Sequence, residues 1–424
     1  MLCGGIRAAS AHAVLLRSDP PDLCLLPGGE RLPSDAPPCR AGAVLLQPPS
    51  AVRLVFSEPV QPIGRGLRVI GPNGRRVDHG AVGVAGPVLR VGVNARPAGT
   101  YRVVWSVISQ DTHPELGTIT FSVRCAGGVV AEGAGAGSAD LPSSGGSAGE
   151  WGIALGTLAH VLHFVGYALS FGAFAAVWAV RRAPASFGGP QTPEAVWRLV
   201  GGGVVLLLLA EPVAFVAECV ALGAVGGGAD PAVVGTVLDS IFGRVLAQRL
   251  AAAILLWVLA GALRSGAMRA AWTVPLLGVG LAFIDGQAAH AAGVRPLWWG
   301  LTVNAAHLSA MGLWAGTLAF ILSSCAGAAR HPDVHRLVVA TAATATATGV
   351  VMAAQHLTAA RDLIGSPYGR ALAVKTAAVA AVAVLGWLAA RREAARRPRA
   401  WAAAAMVAVL ALAGWLVLLR PPVP

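Results

Sequence analysis

A chain of 424 residues with 55% apolar residues, only 12% charged ones and a mean hydropathy of +0.66 is too apolar for an ordinary soluble protein, so part of it belongs in a membrane. Its formal charge of +12 comes almost wholly from Arg scattered between apolar runs, not gathered into one patch with interleaved aromatics, which argues against nucleic acid as a partner. The six cysteines include no Cys-x-x-Cys, which removes zinc-ribbon and thioredoxin-like chemistry.

Residues 1–11 end in Ala9-Ser-Ala11, the small-x-small pattern that signal peptidase reads, but they lack the apolar core of a complete signal peptide; the natural start is expected upstream. Cleavage after Ala11 would make His12 the mature N-terminus, whereas an uncleaved tail would remove its amine as a ligand. Cys24 and Cys39 flank a Pro/Gly-rich insert, and in an oxidising compartment they could close a disulfide loop or stand as two unrelated thiols. Short β-rich runs follow at 52–56, 67–70, 88–93, 101–108 and 118–123, punctuated by Gly, Pro and Asn, and predict an all-β, Ig-like sandwich over 12–125. The insert between 23 and 49 leaves the first strand unplaced.

Within the last two runs, Val103, Trp105, Val107 and then Ile119, Phe121, Val123 alternate with small or polar residues, the period of strands with one buried face. Asp111-Thr-His-Pro114 must then connect them. In an extended Asp-x-His both outer side chains leave the backbone on one side, and Pro114 biases the residue before it towards that form. Asp111 and His113 therefore read as metal ligands, although an isolated Asp-x-His is equally a solvated turn. Residues 126–150, rich in Gly, Ala and Ser, describe a flexible linker.

Eight apolar stretches follow, at 152–180, 196–222, 245–263, 270–289, 298–324, 336–358, 371–390 and 400–419, against the need of about 20 residues per crossing. They predict an all-α, eight-helix transmembrane bundle over 151–420, making the chain a multi-domain protein. With the sandwich outside, the inner loops carry Arg181, Arg182 and Arg198, then Arg264 and Arg269, then Arg330 and Arg336, then Arg391, Arg392, Arg396, Arg397 and Arg399. The outer loops offer only Arg244, Arg295, Arg361 and Arg370, with Arg420 at the tail, so the positive-inside rule puts both termini outside.

In that orientation the costly polar residues fall in the outer half of the bilayer. They are His160 and His163 on the first span, Glu211 and Glu218 on the second, and Asp285, Gln287 and His290 at the end of the fourth. Asn304, His307 and Met311 follow on the fifth, Met352, Gln355 and His356 on the sixth, and Lys375, the one lysine in the chain, at the start of the seventh. An ionisable residue inside a span costs about 2.5–3.5 kcal/mol on insertion scales, which makes each a functional candidate; hydrogen bonding across a helix interface is the plainer reading. Spacings of three for His160/His163, seven for Glu211/Glu218 and four for Met352/His356 put several on shared helix faces.

The run Ala98-Gly-Thr-Tyr-Arg-Val-Val-Trp-Ser-Val-Ile-Ser-Gln-Asp-Thr-His-Pro-Glu-Leu-Gly117 closely resembles the signature of the CopC family of periplasmic copper-binding proteins. His12-Ala-Val-Leu-Leu-Arg-Ser-Asp-Pro-Pro21 and Val52-Arg-Leu-Val-Phe-Ser-Glu-Pro-Val60 agree with it, in the right order. The resemblance implies that His12, through its amine and ring, joins Asp111 and His113 in holding Cu(II), with Glu58 matching a position that contributes a carboxylate in some members. Nitrogen and carboxylate donors suit Cu(II), thioether sulfur Cu(I), and the absence of Met between His12 and Cys125 speaks against a Met-built Cu(I) site in this domain. His79 reads as a solvated surface histidine.

Most of 150–420 resembles the CopD family of membrane copper proteins, through Phe242-Gly-Arg with Arg249, Gly286-Gln-Ala-Ala-His290, Asn304-Ala-Ala-His307-Leu-Ser-Ala-Met-Gly-Leu-Trp-Ala-Gly316 and Tyr368-Gly-Arg-Ala-Leu-Ala-Val-Lys375. Ala390-Arg391 departs from the Asn-Arg that relatives often show. Together the resemblances imply a fusion of the two families in a bacterial plasma membrane, a transporter and not an enzyme. It would capture Cu(II) outside and take copper inward along His160, His163, Glu211, His290, His307, Met311, Met352 and His356, where Met favours Cu(I). The direction rests on resemblance alone. Besides copper and the lipid bilayer, a periplasmic copper chaperone or an oxidase-assembly protein would be a fitting partner. Two other readings stay open: a b-type haem reductase using His163 with His307 or His356, and copper delivery to an oxidase without transport.

Overall fold

The computed structural model describes residues 13–23, 43–108, 114–124, 147–176, 194–226, 231–267 with 269, 271–289 with 291 and 294, 296–323, 332–357 and 361–391. Cys24 and Cys39 lie outside them, as does most of the stretch read as linker. Contacts divide the chain into two compact units, one of Ser10–Gly152 with Glu218–Phe242 and one built mainly of Ile153–Ala217 and Gly243–Pro424.

In the first unit the strands are β1 (Leu15–Asp19), β2 (Ala43–Leu45), β3 (Ala51–Phe56), β4 (Gln61–Ile70), β5 (Asp78–Ala85), β6 (Val88–Val93), β7 (Gly99–Ile108) and β8 (Pro114–Val123). They form two four-stranded sheets, β1-β3-β6-β5 and β2-β8-β7-β4. Alternation drives the packing: Tyr101, Val103, Trp105 and Val107 of β7 and Ile119, Phe121 and Val123 of β8 are buried, facing Val52, Leu54 and Phe56 of β3 and Leu89, Val91 and Val93 of β6. Phe56 meets Trp105 edge-on at 5.2 Å, and Tyr101 stacks on Phe121 at 5.1 Å. Each fully buried Val, Leu or Phe contributes about 1.5–3 kcal/mol, which makes this core the main source of the sandwich's stability.

One buried charge is part of the frame. Asp78, at the start of β5, accepts Arg76 Nε at 2.7 Å and the backbone N–H groups of Val69 at 2.8 Å and Gly80 at 3.0 Å. Burial alone would push its carboxyl up, but the Arg76 guanidinium and the two N–H donors hold it below the usual carboxylate range. The pairing fixes the turn between β4 and β5.

The helices are α1 (Ser147–Tyr167), α2 (Glu194–Gly226), α3 (Pro231–Asp239), α4 (Ile241–Arg264), α5 (Thr273–Gln287), α6 (Leu297–Ser323), α7 (Pro332–His356), α8 (Asp362–Gly365) and α9 (Pro367–Arg391). A π-helical turn, Ala168–Gly172, carries α1 onward to Ala176. Helix α1 begins inside the stretch read as linker, because Ser147-Ala-Gly-Glu150 continues its first turns. Helices occupy the first seven of the eight predicted segments, and the eighth, 400–419, lies outside the described residues. Among those residues four helical stretches, not eight, have the length and hydropathy to cross a bilayer: Trp151–Ala176, Val196–Leu222, Ile241–Arg264 and Pro332–Gln355. Their outward apolar side chains, such as Trp257 at 65% and Val350 at 65% exposure, suit contact with lipid.

Small residues bring these helices together. A Cβ on Gly172 would fall 2.1 Å from the carbonyl oxygen of Gly312, and one on Gly316 would fall 2.2 Å from that of Ala168. The Gly312-x-x-x-Gly316 stripe of α6 thus packs directly on the π turn.

Candidate functional site

In the sandwich, His12, Asp111 and His113 lie outside the described residues, while Glu58 lies within them and is 7% exposed. A buried carboxylate needs hydrogen bonds or a cation to offset its lost hydration. The described flanks of all four candidates meet at one end of the sandwich. Val14, two residues after His12, donates its N–H to Ser57 Oγ at 2.9 Å and accepts the Ser57 N–H at 2.9 Å, next to Glu58. The segment after Glu58 enters β4, whose Gln61 stands opposite Ile108, and Ile108 stands opposite Pro114. The β7–β8 register runs unbroken from Gly99↔Val123 to Ile108↔Pro114, so residues 109–113 connect the two strands at this same end.

The second unit holds a cavity of about 150 Å³, bordered by His160, His163, His307, Met311 and Met352 together with Tyr167, Arg249, Asp285, Asn304, Tyr368 and Lys375. One water needs roughly 10–15 Å³ on the same scale, so there is ample room for an ion. Five of the eight membrane candidates therefore share one space. Glu211 reaches it only through His163. His290 lies outside the described residues, and of His356 only the backbone, at the end of α7, is described.

The hydrogen bonds sort the histidines. His160 donates Nδ1–H to the Gly156 carbonyl at 2.8 Å, one helical turn back. His307 Nδ1 lies 3.0 Å from the Ala345 carbonyl and 3.1 Å from Thr348 Oγ1, whose own proton goes to Thr344 O at 2.7 Å. With the proton fixed on Nδ1 in both rings, each keeps its lone pair on Nε2, the nitrogen left for a metal. Met311 and Met352 add soft thioether sulfur to the same cavity.

His163 is used differently. Its Nδ1 lies 3.0 Å from Glu211 Oε1 and its Nε2 3.1 Å from Asp285 Oδ2, while Arg249 Nε donates to Asp285 Oδ1 at 2.7 Å. A ring with a carboxylate oxygen at each nitrogen is satisfied as the imidazolium, with no lone pair left to bind copper. The four groups join α1, α2, α4 and α5 into a self-compensated network of two cations and two anions. The sequence marks Asp285 as a costly polar residue in a span and Arg249 as part of the CopD-like motif, but gives neither a place beside His163, because partners on separate helices carry no local signal. Among the described residues no group of three or more His, Cys, Asp or Glu side chains is placed to hold a metal ion, so copper in the cavity would depend on His and Met together.

A β-sandwich joined to long apolar helices is the class of molecule this architecture defines, and comparison with known proteins gives the sandwich a family. Residues 37–124 match the CopC domain. The chain is 61% identical over 28 residues to "Copper resistance protein C" of Escherichia coli; that match takes in 7% of this chain and 22% of the relative, so the chain spans about a fifth of the length of the curated relative it matches. Among solved structures it is similar to CopC from Methylosinus trichosporium OB3b, at 20% identity over 28% of this chain and 99% of that one with a TM-score of 0.21. It is also similar to PcoC, a methionine-rich copper resistance protein from Escherichia coli, at 27% identity over 27% of this chain and all of that one with a TM-score of 0.19.

Proposed function

We propose that this protein captures Cu(II) at the end of the sandwich and passes copper into a membrane bundle of the CopD type, which takes it inward. The observation that carries the reading is the meeting of the described flanks of His12, Glu58 and the Asp111-x-His113 connection at one end of a domain that matches CopC. Imidazole, amine and carboxylate donors fit Cu(II). Tethering the sandwich to the membrane region raises the local copper concentration there.

In the bundle, the Nε2 atoms of His160 and His307 with the sulfurs of Met311 and Met352 form the donor set for Cu(I), reached after one-electron reduction by an external donor. The eight spans rest on the apolar stretches, four of which have the length and hydropathy of a crossing among the described residues, the outer termini on the arginine distribution, and the plasma-membrane placement on the resemblance. The haem reading is weaker, because His163, the ring it requires, has both nitrogens against carboxylates. A Soret band in the purified protein would reverse that preference.

Cu(II) titration of the full chain in detergent, followed by electron paramagnetic resonance, tests the outer site. One Cu(II) per sandwich is expected, with affinity reduced at least tenfold in Asp111→Ala and in His113→Ala. Undiminished affinity in both variants would remove the assignment.

A further inference from the structure

The charges bordering the membrane cavity do not cancel. Both oxygens of Asp285 are taken up by His163 and Arg249, and Glu211 Oε1 faces His163 while its Oε2 is buried without a partner among the described residues. Lys375, on α9, stands in the cavity wall with His307 and Met352, and among the described residues it has neither a hydrogen bond nor an ion pair. The remaining donors there, the Nε2 atoms of His160 and His307 and the two thioethers, are uncharged. The rest of the wall includes apolar Phe164, Ala168, Leu308 and Ala315, together with Tyr167, Tyr368 and Asn304, whose Nδ2 is buried without a hydrogen-bond partner among the described residues. An ammonium in such a place needs a counter-charge, and the one carboxylate bordering the cavity among the described residues, Asp285, is already engaged by His163 and Arg249.

We propose that the cavity holds a small monovalent anion of the halide type against Lys375 Nζ. A tetrahedral oxyanion would call for several converging N–H donors or a forked guanidinium, and the guanidinium present, Arg249, is turned to Asp285 at 2.7 Å. A halide needs one compact cation and at most a few further N–H donors in a largely apolar surround, which Lys375 and Asn304 beside Phe164, Ala168, Leu308 and Ala315 offer. Lys375 and the anion then cancel each other, and copper(I) entering the same space would be the one uncompensated charge there. The anion site itself does not depend on copper.

The test uses the full chain in detergent, stripped of copper with a chelator, and follows its thermal unfolding midpoint in chloride, bromide or gluconate at constant ionic strength. The midpoint should rise saturably with either halide and stay flat in gluconate. In Lys375→Met and Lys375→Gln the apparent halide affinity should weaken at least tenfold, while Lys375→Arg keeps the response. An equal rise in gluconate, or a halide response that survives in both neutral variants, would overturn the proposal. Because copper is absent throughout, such a failure would leave the copper reading untouched.

Discussion

A buried imidazole that faces a carboxylate oxygen at each nitrogen has one protonation state in which no two lone pairs oppose each other, and His163 is in that position between Glu211 and Asp285. Removing Asp285 would strand the charge of Arg249 and one nitrogen of His163 together. Breaking a buried pair in this way costs about 3–5 kcal/mol, and Asp285→Ala should lose that much by denaturant unfolding of the detergent-solubilised chain. A loss below about 1 kcal/mol would show that the network does not hold the helices. The residue types of this site were legible in the sequence, since charged and imidazole groups inside apolar runs stand out. Their tasks were not. His160 and His163 lie three apart on one face, yet the first bonds the carbonyl of Gly156, in its own helix, and the second bonds carboxylates 48 and 122 residues away. No local pattern encodes partners at that separation.

Elements were legible in proportion to their periodicity. The strict alternation of β3, β6, β7 and β8 marked them, whereas β2 has only three residues, and β5, Asp-His-Gly-Ala-Val-Gly-Val-Ala, is mostly exposed and interrupted by glycine. Strand β1 was hidden by the insert behind it. Among the helices, the π turn at Ala168–Gly172 gives no sequence signal of its own and is understood only through its contact with the glycine stripe of α6. A Cβ on Gly312 would fall 2.3 Å from the Tyr167 ring, whose hydroxyl donates to the Gly278 carbonyl at 2.9 Å. Gly312→Val should therefore separate α6 from α1 and lower stability by roughly 1–3 kcal/mol, the usual range for overpacking. An unfolding midpoint equal to that of the natural chain would mean that the helices do not meet this closely.

At the scale of the whole molecule, the sandwich and the bundle each have a candidate copper site, and their contributions can be separated. In cells, His307→Ala should abolish copper accumulation, measured as metal per cell, while the purified variant keeps its Cu(II) affinity at the outer site. Normal accumulation would leave His307 with only its bonds to Ala345 and Thr348, a packing role between α6 and α7. Composition made a β-rich start and a later apolar, helical part legible, but long apolar stretches alone did not set how many helices meet the demands of a crossing. The ladder between β7 and β8 is complete up to Ile108↔Pro114, so the frame is closed before the Asp-x-His connection begins. On the proposed Cu(II) reading, none of those ladder pairs includes Asp111 or His113, so exchanging either ligand leaves every pair in place. That would give selection a way to retune which ion the outer domain takes while the strand pairing stays as it is.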